Sequence, residues 1–268
     1  LVQENNEAQF KWLFLPGGPG LGSEYFQPFL EKTFLPGSIW RVDYPGDGSN
    51  HIDQEIDYGQ TWRQGLVKMV QNIPDVILVL HSFSAIFALT IPELEGKLAG
   101  LILLDGAPSN EWLTQLSNRA KQRGLPDTTQ AMAEYANNKS NDSYKKLTLA
   151  ISSYYLNLSV EKDAKKLLES LPYSHATYDW ANSNVHPNYK LEWIPQEVQT
   201  LIVSGEDDMY TPIELFQKDE RFKRPNIEIV VIKQANHFPW FEQPQQTAET
   251  LQNFGCKLLQ SLHPSMKK

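Results

Sequence analysis

The sequence predicts an α/β fold: a mostly parallel β-sheet with helices on both faces and an inserted helical cap. Three observations predict it. Short, continuously apolar runs alternate with helix-like stretches, as in sheets covered on both sides. Ser82, Asp208 and His237 each follow the C-terminal end of such a run. Between Ser109 and Pro195 the strand signal disappears altogether.

Taken in order, Phe10–Leu15 is apolar and is closed by Pro16-Gly17-Gly18-Pro19-Gly20, which marks a first strand. Ser38–Tyr44 reads as a second strand running into the tight turns of Pro45-Gly46-Asp47-Gly48. Tyr58–Gln71 carries a helical pattern. Val76–Leu80 is the most continuous apolar run, and the helix Phe83–Ile91 starts almost at once after it. Leu98–Leu104 is the next strand. Glu111–Arg123, Thr128–Asn138, Tyr144–Leu156 and Val160–Leu171 then read as successive helices, rich in Tyr, Lys, Asn and Ser. Strands resume at Leu201–Ser204 and Ile227–Ile232, and Thr247–Leu262 closes the pattern as a helix. The expected organisation is one core formed by 1–108 and 196–268, with residues 109–195 as the cap insertion.

Composition narrows the function classes. The chain has 268 residues, 41% of them hydrophobic, enough for a full-sized core. The formal net charge is −8 and no basic stripe stands out, so a nucleic-acid partner is not expected. The lone cysteine, Cys256, rules out an intrachain disulfide framework and a zinc–cysteine site, and is expected to be a small core residue. No run of about 18 apolar residues predicts a membrane span. The polar stretch Leu1–Gln9 does not resemble a signal peptide, which makes a cytoplasmic location the expectation. No cofactor and no metal are expected. The oligomeric state is open.

The chemistry concentrates in three segments. In Val76-Ile-Leu-Val-Leu-His-Ser-Phe-Ser a buried strand runs directly into Ser82, and a helix begins at once. Such a turn lifts a hydroxyl above the sheet edge and turns the Phe83 N–H towards an incoming carbonyl oxygen. The other reading is a strand end with a serine helix cap. Asp207 and Asp208 follow the strand that ends near Gly205, and His237 follows the strand Ile227–Ile232. In a parallel sheet these ends share one edge. A serine hydroxyl needs a base to take its proton, and that imidazole needs a carboxylate to orient it. The chain order Ser, Asp, His favours Asp208 as the acid, with Asp207 and Asp105 as rivals. His81 is read as packing, and His51, His175, His186 and His263 as incidental.

Together these residues resemble the α/β-hydrolase superfamily. Gly17-Gly18-Pro19-Gly20 looks like the H-G-G-P-G loop of its proline iminopeptidase branch. Asp43-Tyr44-Pro45-Gly46-Asp47-Gly48-Ser49 looks like the D-x-P-G-x-G-x-S segment of the superfamily. Gly205-Glu206-Asp207-Asp208 and Asn236-His237-Phe238-Pro239-Trp240 are similar to its acid and base segments. The match covers about Phe10–Gly106 and Thr200–Leu262. It departs from the family pattern at Pro16 in place of His, at Leu80 and Ser84 in place of the elbow glycines, and at Asn236 in place of Gly. The N-terminal part is short for the first two strands of the full family sheet.

The resemblance implies an oxyanion hole from the N–H groups of Phe83, Gly17 and Gly18, and acyl-enzyme chemistry at a Ser82–His237–Asp208 triad. The expected substrate is a small-molecule ester, amide or thioester. Carbon–carbon bond hydrolysis and proline iminopeptidase-type activity are variants on the same triad. A binding protein on a hydrolase fold is a separate class. A dinucleotide site fails on spacing, since Ser23 stands where a third glycine is needed. The aromatic residues Tyr135, Tyr144, Tyr154, Tyr155, Tyr173, Tyr178 and Trp180 read either as a wall for an apolar acyl group or as ordinary helix packing.

Overall fold

The structure, a computed structural model, describes residues 1–4, 9–157 and 159–262. Six strands form one sheet: β1 (Lys11–Leu15), β2 (Ser38–Arg41), β3 (Val76–His81), β4 (Gly100–Leu104), β5 (Thr200–Gly205) and β6 (Ile227–Ile232). The spatial order is β2-β1-β3-β4-β5-β6, and every pairing is parallel. An antiparallel bridge joins Gln3 to Ile39 of β2. All six C-terminal ends therefore face one edge, and the loops that follow them converge there.

Side chains alternate across the sheet. Trp12, Phe14, Ile77, Val79, Ile102, Leu104, Leu201 and Val203 face one apolar layer, closed by Leu251, Phe254 and Leu258 of the helix Pro244–Leu262. Leu13, Leu15, Leu78, Leu80, Leu101, Leu103 and Ile202 face the other, against the helices Tyr58–Asn72 and Phe83–Ala88. Strands β3, β4 and β5 are buried along their whole length, which is why they read as unbroken apolar runs. Burying one such leucine contributes about 1.5–3 kcal/mol.

Departures from the sequence reading have local causes. β2 ends at Arg41 rather than Tyr44, because Asp43 leaves the ladder and accepts the Ser23 N–H at 2.6 Å. The third helix of the insertion starts at Asn141, fixed by a reciprocal Ser140–Ser143 cap, and ends at Ala150. The helix His175–Asn184 has no counterpart in the sequence reading, since its polar and aromatic residues show no clear stripe. Cys256 is exposed rather than buried, lying off the stripe of Leu251, Phe254 and Leu258. His263 lies outside the described residues. No helix among them is long and apolar enough to cross a membrane.

Among the described residues, five α-helices, from Glu111–Gln122 to His175–Asn184, lie between β4 and β5. They sit over the C-terminal edge. The Tyr144 hydroxyl donates to the Pro19 carbonyl at 3.0 Å, and the Ser174 N–H to the Gly20 carbonyl at 2.9 Å. A Cβ on Gly20 would come within 2.5 Å of the Ser174 carbonyl oxygen, so only glycine lets the two segments meet. After the last helix the chain returns to the core, where the Trp193 N–H donates to the Leu89 carbonyl at 2.9 Å.

Candidate active site

Ser82 occupies the turn between β3 and the helix Phe83–Ala88, with φ 51° and ψ −112°. A non-glycine residue in that region costs on the order of 1–3 kcal/mol and persists only where its surroundings hold it. Here the Ser82 N–H donates to the Leu104 carbonyl at 2.8 Å, and the Ile86 N–H to the Ser82 carbonyl at 3.1 Å.

The missing elbow glycines find their explanation in this packing. Leu80 is fully buried between Leu15 and Leu103 on the neighbouring strands, facing the helical layer. The Ser84 hydroxyl donates to the Pro16 carbonyl and pins the first loop to the turn. The tight approach falls instead on facing segments. A Cβ on Gly17 would lie 2.6 Å from His81 Nδ1 and 2.7 Å from Ser82 Cβ, and one on Gly106 2.7 Å from Ala85 Cβ.

His237 Nε2 lies 2.9 Å from Ser82 Oγ, and His237 Nδ1 lies 2.9 Å from Asp208 Oδ2. Asp208 Oδ1 accepts the N–H groups of Tyr210 at 2.8 Å and Thr211 at 3.1 Å. The Thr211 hydroxyl stands 2.8 Å from Asp208 Oδ2 and 2.7 Å from the Asp105 carbonyl oxygen. Burial alone would push the Asp208 carboxyl up, but the adjacent His237 and these hydrogen bonds outweigh it and hold it below its ordinary value. Asp208 is therefore a charged acceptor for the imidazole.

The rival acids sit differently. Asp207 turns towards Asn157, whose Nδ2 donates to it at 3.3 Å. Asp105 is fully buried with φ 45°, and accepts the Gly205 N–H at 2.9 Å. Burial, then the neighbouring Asp208 charge, push its carboxyl well above the usual range, so it stands beside Asp208 as a neutral acid. Donor atoms of Asp105, Asp208 and His237 all fall within 4.8 Å of one another.

The base is held by its own loop. Its N–H donates to Asn236 Oδ1 and to the Tyr155 carbonyl, both at 3.0 Å. Asn236 thus does with its side chain what a glycine at this position could not. Glu242 accepts the Asn236 N–H at 2.8 Å and the Asn157 N–H at 3.0 Å, linking this loop to the insertion.

His81 has more than a packing role. It is buried, with Nδ1 2.7 Å from the Tyr25 hydroxyl and Nε2 3.1 Å from the His237 carbonyl oxygen. Burial, then the nearby His237, lower its pKa well below the ordinary value, so the ring is neutral. A neutral ring with its proton on Nε2 donates to His237 and accepts from Tyr25. The Tyr25 hydroxyl in turn accepts the Gly17 N–H at 2.5 Å. Gly17, expected to offer its N–H to an oxyanion, thus has that N–H engaged by Tyr25. Gly18 is the residue of that loop that lines the cavity above Ser82. The Phe83 N–H lies in the first helical turn, where no intrahelical acceptor exists.

That cavity has a volume of about 190 Å³. Its walls come from the strand edge and from the insertion, including Trp112, Tyr144, Leu147, Ile151, Tyr155, Tyr178 and His186. Among the described residues that line it, none is Asp, Glu, Lys or Arg. Tyr135, Tyr154, Tyr173 and Trp180 are not among its walls; they pack within the insertion and against Trp62 and Phe87. Sequence reasoning passes over Tyr25, Thr211 and Glu242, and reads His186 as incidental. The Asp208-x-x-Thr211 spacing is the one local signal that could find any of them.

Comparison with known proteins agrees with the architecture. The structure resembles a proline iminopeptidase-related protein from Thermus thermophilus, with TM-score 0.69 and 18% identity over 96% of this chain and 92% of that one. It resembles an alpha/beta fold family hydrolase from Bacillus anthracis str. Sterne, with TM-score 0.67 and 15% identity over 92% and 93% of the two chains. A thermophilic esterase from Thermogutta terrifontis is similar at TM-score 0.63 and 18% identity, over 94% and 91%. At these identities the likeness speaks to fold. A sequence comparison with curated proteins finds no match. A model of the alpha/beta hydrolase family matches residues 12–250, nearly the whole sheet and the insertion within it; the chain belongs to that family and is a hydrolase.

Proposed function

We propose that the chain is a serine hydrolase cleaving a neutral, largely apolar carboxylic ester through an acyl-enzyme on Ser82. The observation that carries this reading is the unbroken chain Asp208–His237–Ser82, at 2.9 Å for each link, opening from a strained turn onto an apolar cavity. His237 Nε2 takes the Ser82 proton as Oγ attacks the ester carbonyl. Asp208, charged and fixed by three donors, holds the imidazole in the tautomer with its proton on Nδ1 and steadies the imidazolium that forms. The N–H groups of Gly18 and Phe83 receive the developing oxyanion. His237 then protonates the leaving alcohol, and a water deprotonated by the same ring releases the acid. Residues 109–195 act as the cap that shapes the pocket.

The cavity supports this reading over an aminopeptidase. A free N-terminal ammonium needs a carboxylate to recognise it, and none is found among the described residues of the walls. The test is reaction with a fluorophosphonate probe, followed by peptide mapping. Labelling of Ser82 that is lost in His237→Ala is the expected result. A folded protein that takes no label, or takes it elsewhere, overturns the proposal.

A further inference from the structure

The cavity above Ser82 is lined mostly by apolar and aromatic side chains, and by no charged one among the described residues. His186 and Trp112 both line it, their ring centroids 5.1 Å apart and their planes nearly perpendicular. His186 is 8% exposed and Trp112 5% exposed. Neither His186 ring nitrogen has a hydrogen-bond partner, nor has Trp112 Nε1. Buried polar atoms ordinarily find partners, because leaving one unpaired removes its hydration without replacement. Three such atoms on two adjoining wall residues are unmet hydrogen bonds, buried in this conformation and open to a ligand that turns either ring. His186 shares this cavity with Ser82, and its ring lies 5.7 Å from that of Phe83, the residue after Ser82.

We propose that His186 and Trp112 form the specificity subsite of this pocket, binding an uncharged oxygen substituent, keto or hydroxyl, on the otherwise apolar acyl part of the substrate. This rests on the hydrolase reading of the same cavity. Burial pushes the His186 imidazole down to about 4, so at neutral pH it offers one N–H and one bare nitrogen. Together with the indole N–H that makes two donors and one acceptor. An ionised substituent finds no counter-charge there, whereas a ketone oxygen accepts from both donors and a hydroxyl uses the acceptor as well. A plain alkyl chain leaves all three atoms unpaired, so discrimination comes from the protein's own unmet bonds.

The test is binding of intact esters to Ser82→Ala, which keeps the pocket and removes the nucleophile. The probes are p-nitrophenyl hexanoate and its 4-oxo and 5-oxo analogues, followed by quenching of tryptophan fluorescence. At least one oxo ester is expected to bind ten-fold or more tighter than hexanoate. That preference should fall below two-fold in Ser82→Ala/His186→Phe and survive in large part in Ser82→Ala/His186→Gln, whose amide keeps a donor and an acceptor. Should His186→Phe not fold, Ser82→Ala/Trp112→Phe carries the test, with at least a three-fold loss of preference. Equal binding of all three esters overturns the subsite, as does a preference that persists in the His186→Phe or Trp112→Phe background. The hydrolase reading fails separately, if wild-type protein binds the esters without releasing p-nitrophenol.

Discussion

The strand edge and the helical insertion meet around one cavity, yet they are built by opposite rules. On the edge, the groups that position Ser82 and His237 are paired: Asp208 holds His237, Asn236 and Glu242 hold its loop, and Tyr25 joins Gly17 to His81. On the insertion, tyrosines stack on one another, as Tyr144 does on Tyr178 at 4.2 Å, and Trp112 and His186 keep polar atoms without partners. A paired network fixes geometry, which a proton relay needs. An apolar wall with a few unmet hydrogen bonds fixes nothing until something fits it. The difference separates how a bond would be broken from which bond is presented.

The largest expected effect would break this comparison outright if it failed. Ser82→Ala should lower kcat for a p-nitrophenyl ester by about 10⁴-fold or more, with His237→Ala close behind, because such groups act as a unit. Retained turnover in Ser82→Ala would remove the edge's proposed role.

Next, Asp208→Asn should lose on the order of 10²–10⁴-fold in kcat. Asp105→Asn should lose less than about ten-fold, since Asp105 is already neutral, and Asp207→Asn close to nothing. Steady-state rates on one ester rank the three, and the reverse order would move the acid to Asp105.

A third prediction concerns the seam. Asp47 is fully buried, accepts the Gly20 N–H at 2.7 Å and lies 3.4 Å from the Thr177 hydroxyl of the insertion. Burial, then the nearby Asp43 charge, raise its pKa to about 7. The folded chain therefore binds this proton more tightly than the unfolded chain does. That stability is fully present below about pH 4 and is lost as pH rises through 7. Asp47→Asn keeps an acceptor for Gly20 and cannot ionise. Its advantage over wild type should grow by on the order of 3 kcal/mol between pH 5 and pH 8, read from urea midpoints. Parallel pH curves for the two proteins would show that Asp47 is ionised throughout.

The smallest effect sharpens the same boundary. Tyr144→Phe removes the hydrogen bond from the insertion to the Pro19 carbonyl and should cost about 0.5–1.5 kcal/mol. A change in KM with kcat nearly constant would mark the insertion as a binding element. A fall in kcat alone would mean that it also positions the Gly18 loop.

What is legible in the sequence follows the same division. Strands β3, β4 and β5 are visible because both faces are buried, and Ser82, Asp208 and His237 because each follows a strand whose end must lie on one edge. The structure brings those three side chains into a continuous hydrogen-bonded row. Tyr25 is not visible, since its contact with His81 spans 56 positions in the chain and has no local signature. The engagement of Gly17 depends on that same contact. His186 looks incidental for the same reason: its surroundings come from Phe83 and Trp112, on other elements. The helix His175–Asn184 escapes a periodicity reading because its residues are held by contacts to the core rather than by an apolar stripe of their own.

The displaced glycines of the serine turn have a consequence for how this chain can change. Because Gly17 and Gly106 supply the clearance, positions 80 and 84 are free to carry side chains, and Ser84 is a tie to Pro16. The substitutions therefore have an order. Leu80 or Ser84 can be replaced by glycine with a loss of packing or of one hydrogen bond, and the turn still closes. Gly17 cannot gain a methyl group first, whatever stands at 80 and 84, since His81 and Ser82 already fill the space. A search keyed to glycines flanking the serine passes over such a chain, while one keyed to the glycine across from it would not.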